Sequence, residues 1–253
     1  MKMTVKRSTI FTYSGLSIGL ILLMLVIFGM ILTGCARENI YGSGRVVTEE
    51  RQVDRFSELT IEGPVEVQVK QGQQLPLKIE AEDNVMRLIE TQVSGGSLRV
   101  KIRNGVNLKR VKPIHVYVQS EQYKKIIFSG SGSLTGPDTI KAAGFTYEIN
   151  GSADADLKLD ANEVRMYVNG SGNLRLEGRS NAYFSEINGS GNLAGRDFQA
   201  ASADMNVNGS GEQTIWVTDR LDARINGSGN IRYKGTPGTV NVKIAGSGKV
   251  IKL

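Results

Sequence analysis

One tetrapeptide recurs through the second half of the chain, and it constrains the fold more than any other feature. Seven copies of X-Gly-Ser-Gly follow one another about every 19 residues; Asn is the first residue in five copies, and Ala153 replaces the last Gly in one. Their first glycines are Gly130, Gly151, Gly170, Gly189, Gly209, Gly227 and Gly246. A period near 20 residues with strand-like filling is typical of a solenoid, in which each repeat forms one coil.

The segment before each turn alternates between apolar and polar residues. Before Gly151, for example, Phe145, Tyr147 and Ile149 occupy every second position. A period of two indicates a strand with one apolar face, and stacked coils would enclose these faces in one continuous core. The pattern therefore predicts an all-β fold, a parallel β-helix (solenoid) with coils of about 19 residues. It should be right-handed, as nearly all parallel crossovers are.

The residues of the repeated turn are predicted to stack into a ladder. Glycine adopts positive φ without steric cost, while Asn tolerates the left-handed region and can bond its amide to its copy in the next coil. The predicted turn ladder comprises Asn150, Gly151, Asn169, Gly170, Asn188, Gly189, Asn208, Gly209, Asn226, Gly227 and Gly246. An antiparallel meander is the rival fold, because Asn-Gly also favours hairpin turns. The short strand after each turn favours stacking instead.

The chain divides into four parts by composition and pattern. Residues 129–253 form the Gly-Ser-Gly repeat β-helix, and residues 44–128 form a strand-rich N-terminal part that could cover the first coil. One short helix is expected in that part, from Asp83, a suitable N-cap, to about Thr91. Residues 36–43 are predicted to be a short tether.

Residues 1–35 have the pattern of a signal peptide. A basic start precedes an uncharged, strongly apolar stretch that ends Leu32-Thr-Gly-Cys35. This ending resembles the cleavage site of a bacterial lipoprotein, which implies lipidation of Cys35 and membrane contact through the acylated N-terminus. Because Ala36 rather than Asp follows, the resemblance favours the outer membrane of a Gram-negative cell envelope. The alternative is an uncleaved membrane anchor, for which the apolar stretch is long enough.

Composition excludes several kinds of site. The chain has one Cys and one His, which rules out a disulfide framework, a multi-histidine metal site and a Ser-His-Asp triad. The formal charge is +6, of which three basic residues precede Cys35. The remainder has no basic stripe, so nucleic acid is not an expected partner. No cofactor is expected.

Four outward-facing residues are secondary candidates for a surface site. Asp154, Asp156 and Asp160 form the densest acidic group, and a polysaccharide-cleaving β-helix enzyme would need such carboxylates to converge. The alternative is a solvated strand edge, and calcium binding fits the spacing poorly. Trp216 lies between apolar Ile215 and Val217, so it should face outward, where it could stack on a sugar or a partner.

The chain resembles a known family. The segments that carry the resemblance are Arg51-Gln-Val-Asp-Arg-Phe56, Leu59-Thr-Ile61, Glu82-Asp-Asn84 and the repeats that follow. They are similar to the auto-transporter adhesin head GIN domain family, over roughly residues 44–235. The resemblance implies a right-handed β-helix on a secreted or lipid-anchored bacterial envelope protein. It brings no catalytic residues.

These observations predict a non-enzymatic, lipid-anchored protein of the cell envelope. A solenoid offers extended surfaces, which suits adhesion, binding or a scaffold role toward an envelope protein or a polysaccharide. The alternatives are a carbohydrate-active β-helix enzyme and an accessory or sensor subunit of an envelope system.

Overall fold

The fold is almost entirely β-structure. A computed structural model describes residues 37–253, with 74% strand and 2% helix. The helix found among these residues, α1, spans Asp83–Met86. The strands are β1 (Glu38–Tyr41), β2 (Val46–Arg51), β3 (Glu58–Glu62), β4 (Val65–Gln71), β5 (Leu77–Glu82), β6 (Ile89–Ser94), β7 (Ser97–Ile102), β8 (Val106–Lys109), β9 (His115–Ser120), β10 (Lys125–Gly130), β11 (Gly132–Gly151), β12 (Asp154–Gly170), β13 (Asn173–Gly189), β14 (Asn192–Gly209), β15 (Glu212–Gly227), β16 (Asn230–Lys234), β17 (Thr239–Gly246) and β18 (Lys249–Lys252).

The repeats stack as parallel coils. From β10 onward each strand pairs in parallel with the strand one repeat later, and the register places each turn on the next, as in Asn169 on Asn188 and Gly170 on Gly189. The result is a β-solenoid of about seven turns of about 19 residues. The predicted solenoid is confirmed, and the antiparallel meander is excluded because these pairs all run in the same direction.

The alternating apolar residues form the core. Ile149, Val168 and Ile187 stack in register on successive coils, and each is 0% exposed. Burying one such side chain contributes about 1.5–3 kcal/mol. Because every coil adds equivalent residues to the same columns, the core is continuous along the solenoid.

Two coils carry polar side chains into this core. Ser185 and Gln213 are both fully buried, and the Ser185 hydroxyl donates a hydrogen bond to the Gln213 side-chain carbonyl. The Gln213 amide donates in turn to the backbone carbonyl of Asn206 at 2.7 Å. Both of these buried side chains thus have a partner, which removes most of the cost of burying them.

The N-terminal part closes the first coil with a mixed sheet. Strands β3 and β4 continue the parallel stacking, while β2 pairs with β5, β5 with β9 and β6 with β7 in antiparallel fashion. Of these antiparallel partners, β6 and β7 are joined directly by a tight turn at Gly95 and Gly96. The solenoid core therefore ends under a compact cap.

Two expectations for this part need correction. The helix predicted from Asp83 to about Thr91 is a single turn, and Ile89–Ser94 is strand β6 instead. The apolar faces of β6 and α1 pack into the same core, so strand pairing with β7 outweighs helix formation after Met86. In the segment expected to be a tether, Glu38–Tyr41 forms β1 and pairs in parallel with β8. The predicted signal segment, with Cys35, lies outside the described residues.

The last coil exposes its apolar face. Val240, Val242 and Ile244 of β17 continue the core columns but are 39%, 48% and 42% exposed. Their counterparts in β15 are buried, because β17 covers them. Among residues 37–253, no strand pairs with the other edge of β17.

The repeated turn glycines stand in a conformation that other residues rarely adopt. Gly170 has φ of 131°, and a Cβ atom there would lie 2.3 Å from the carbonyl oxygen of Gly151. Both the dihedral angle and this close approach of adjacent coils therefore require glycine.

We predict that Gly170→Ala destabilises the protein by about 3 kcal/mol, since a strained φ and a backbone clash coincide. Gly144→Ala is the matched control, because Gly144 has no positive φ and a methyl group there would meet no atom within 4 Å. The control should change the free energy of unfolding by less than about 0.5 kcal/mol. Urea denaturation of both variants measures this, and equal midpoints would contradict the stacked-turn interpretation.

Candidate functional site

The predicted asparagine positions form a ladder along one corner of the solenoid. Each Asn side-chain amide donates to the side-chain carbonyl of the Asn one coil earlier, at 2.9–3.0 Å. The ladder runs through Asn150, Asn169, Asn188, Asn208 and Asn226. Two ladder amides also donate to outward carboxylates, Asn150 to Glu148 and Asn188 to Glu186, each at 2.9 Å. The ladder therefore orients charged groups on the neighbouring face as well as joining coils.

The aspartates of the acidic group face outward on β12, but each has its own surroundings. Asp154 accepts a hydrogen bond from the Asn173 amide at 2.9 Å. Asp160 receives two hydrogen bonds from the Arg179 guanidinium, at 2.8 and 3.1 Å, and these hold the pKa of its carboxyl below the ordinary value. Asp156 is half-buried and aligns in register with Arg175.

This arrangement pairs individual carboxylates with side chains of the next coil, so the acidic group does not form one cluster. In the described part of the chain, no cluster of three or more His, Cys, Asp or Glu side chains could hold a metal ion. The carboxylates of Asp154 and Asp160 bond to the next coil, so they contribute to coil–coil cohesion. Because these pairs are exposed, solvent screens them and each contributes little to stability.

Trp216 faces outward between two buried neighbours and is half-buried itself. The Lys234 ammonium lies over its ring, 4.1 Å from the centroid, in the coil that follows. This cation–π contact covers the ring face that a sugar or partner would need. Trp216 is thus an element of the coil stacking in this conformation.

A polar cluster fastens the N-terminal end of the described chain to the cap. The Asp83 carboxylate accepts hydrogen bonds from the Ser43 hydroxyl and from the Arg45 guanidinium at 2.6 and 2.9 Å. The Asn84 amide donates to the backbone carbonyl of Tyr41 at 2.6 Å. The buried Glu82 carboxylate accepts from the backbone N–H of Gly44 at 2.6 Å. Residues 41–45 are therefore fixed in place by α1 and the residue before it.

Several of these features were not predicted from the sequence. A second polar ladder runs through Asp154, Asn173 and Asn192, and its 19-residue spacing was available in the repeat. An outward aromatic pair, Tyr167 and Phe184, has ring centroids 5.5 Å apart. Its members occupy different positions in their repeats, so no single column of the sequence contains both.

The sequence of residues 55–237 matches the family described as "Putative auto-transporter adhesin, head GIN domain". Together with the stacked coils, this match shows that the chain belongs to that family. A search of curated proteins finds no match.

Solved structures share the architecture. A protein described as a "putative adhesin" from Bacteroides fragilis has a TM-score of 0.79 and 21% identity, over 85% of this chain and 100% of the other. One described as a "putative lipid binding protein" from Parabacteroides distasonis has a TM-score of 0.73 and 26% identity, with the same coverage. A third, from Parabacteroides merdae and again described as a "putative adhesin", has a TM-score of 0.68 and 22% identity, over 85% and 99%.

We predict that residues 41–45 loosen when Asp83 loses its charge. Hydrogen bonds from Ser43 and then Arg45 lower the pKa of Asp83 from 3.8 to about 2. A lowered pKa means that the charged carboxylate stabilises this junction above pH 3.8, and that the contribution is lost as the pH falls toward 2. Asp83→Asn should therefore produce at pH 7 the loosening that acid produces in the wild type.

Hydrogen–deuterium exchange of residues 41–45 measures this effect. Asp83→Asn should accelerate exchange there, while Asp138→Asn, which alters an exposed side chain in β11, should leave it unchanged. Unchanged protection in Asp83→Asn would show that the Asp83 contacts do not hold the segment.

Proposed function

We propose that this protein is a lipid-anchored, non-enzymatic binding protein of the bacterial envelope that serves adhesion or a scaffold role. Its family and its structural neighbours are adhesin-like, which indicates a protein of the cell surface or envelope. The observation that carries the proposal is the stack of in-register coils, whose ladders hold extended outer faces rigid. Rigid, repetitive faces suit the binding of large partners.

The position of the N-terminal segment supports a particular orientation on the membrane. With lipid on Cys35, strand β1 and the Asp83 cluster would place the cap next to the bilayer. The coils would then project away from it. Within residues 37–253, no helix has the length and apolar character to cross a membrane.

Lipid anchoring can be tested at Cys35. We predict that Cys35→Ser releases the chain from membranes or leaves it as an unprocessed precursor, because serine cannot form the thioether. Thr33→Ser, which keeps a small residue before the cysteine, is the control and should stay membrane-bound. Detergent phase separation and metabolic labelling with a fatty-acid analogue measure the outcome. A labelled, membrane-bound Cys35→Ser product would refute the anchor.

Binding can be tested on whole cells. Bacteria that express the full chain should attach to surfaces coated with envelope polysaccharide more than cells without it, and Cys35→Ser should remove the difference. The same polysaccharide is assayed for released reducing ends. Turnover that disappears in the Asp154→Asn, Asp156→Asn, Asp160→Asn triple variant would contradict the non-enzymatic proposal and support the β-helix enzyme.

A further inference from the structure

An aromatic pair stands on the outer face of two adjacent coils. Tyr167 of β12 and Phe184 of β13 are partly exposed, and the residues on either side of each are buried. Their ring centroids are 5.5 Å apart with the ring planes at 47°. The backbone fixes both positions, because β12 and β13 are paired in continuous register here. These two rings therefore form a preorganised apolar platform on a polar face.

Two carboxylates flank the Tyr167 ring on the coils before and after it. Glu148 and Glu186 align with Tyr167 in register, one on each side. Each accepts a 2.9 Å hydrogen bond from a ladder amide, Asn150 for Glu148 and Asn188 for Glu186. Glu148 also lies 3.8 Å from the Lys125 ammonium. A carboxylate has more acceptor positions than these contacts use, so both retain capacity for a ligand hydroxyl. The ladder thus holds two acceptors at fixed places beside the ring.

A groove of about 700 Å³ reaches Arg165, which is the outward residue before Tyr167 on β12 and the register partner of Phe184. Glu163 and Arg165, which precede Tyr167 on the same face of β12, belong to its lining, together with Thr146 of β11. The groove also contains Lys124 and Lys141. Its charged groups are of both signs, and Arg165 is paired with Glu163. This mixture favours a ligand with hydroxyl groups and no net charge over a strongly ionic one.

We propose that the platform and the groove together bind a neutral polysaccharide of β-linked pyranoses with equatorial substituents. Such a sugar presents a flat face of C–H groups that stacks on an aromatic ring, while its hydroxyls lie at the edge. Glu148 and Glu186 stand where those edge hydroxyls would need acceptors. Sites that recognise organic ligands combine apolar aromatic surface with a few fixed polar groups in this way.

The proposal rests on the proposed function and names its ligand. It also distinguishes between two outward aromatic positions of the solenoid. The Trp216 ring is covered by the Lys234 ammonium at 4.1 Å. The Tyr167 ring instead lies beside the ring of Phe184, and its register partners on the two adjacent strands are carboxylates that a sugar can use. Trp216 therefore supplies a matched control for removal of an outward aromatic side chain.

The test measures binding of cellohexaose and chitohexaose to the full chain, extracted from cells in detergent, by isothermal titration calorimetry. The wild type should bind at least one hexasaccharide. Tyr167→Ala/Phe184→Ala should weaken that binding about 30-fold, the usual effect of removing a central aromatic anchor. Trp216→Ala should change it less than about twofold. Tyr167→Phe, which keeps the ring, should retain most of the affinity.

A second pair of variants tests the polar half of the site. Glu148→Gln/Glu186→Gln keeps the side-chain shape but replaces two charged acceptors with amides, and we expect about tenfold weaker binding. Circular dichroism melting of every variant verifies folding, since all four positions face outward. If either double variant binds with wild-type affinity and has an unchanged melting temperature, the assigned site is wrong.

The outcomes separate this inference from the proposed function. If hexasaccharide binding survives the removal of both rings, the protein binds the sugar at another site. The assigned site is then wrong, and the proposed binding function stands. Failure of the wild type to bind either hexasaccharide, with polysaccharide attachment of expressing cells intact, would overturn the ligand class and leave the binding function standing. If the wild type binds neither hexasaccharide and the expressing cells do not attach to polysaccharide, both proposals are overturned.

Discussion

The close approach of successive coils at the repeated turn is the constraint on which the rest of the structure depends. At Gly170 the space for a Cβ atom is taken by the carbonyl oxygen of Gly151, and the same relation recurs at Gly189 and Gly209. Only glycine allows the turn to close at this separation, so the position of each coil over the last is determined there. That contact therefore determines the register of every inward column and every outward ladder.

That register explains how the outer faces acquire their chemistry. Each outward residue has one neighbour in the preceding coil and one in the following coil. The repeat length therefore determines which side chains it can contact. Asp160 meets Arg179 one coil later, and Asp154 meets Asn173. Carboxylates that are neighbours along one strand therefore bond to different side chains of the next coil, and they do not converge on one point. The same rule places Glu148 and Glu186 on either side of Tyr167.

Sequence periodicity predicted what depends on repetition: the solenoid, the inward columns and the positions of the turns. It failed where tertiary contacts override local pattern. The helix expected to reach Thr91 stops at Met86, because β6 gains a strand partner in β7. Ser185 interrupts the apolar alternation of its repeat, yet it is fully buried. Its burial is possible because Gln213 from a later coil accepts its hydrogen bond. Tyr167 and Phe184 belong to different columns, and their rings meet through a diagonal contact between two neighbouring coils that are in register.

The two ends of the solenoid differ, and the difference bears on where a partner can bind. Antiparallel strands cover the first coil, so its core columns are closed. The last coil leaves Val242 and Ile244 partly exposed, but Lys243, Lys249 and Lys252 lie on its strands. Lysines on an edge strand oppose pairing with another edge, because association would bury or crowd their charges. Partner binding is therefore favoured on the sides of the stack, where ladders hold the side chains in place, and the aromatic platform occupies such a side.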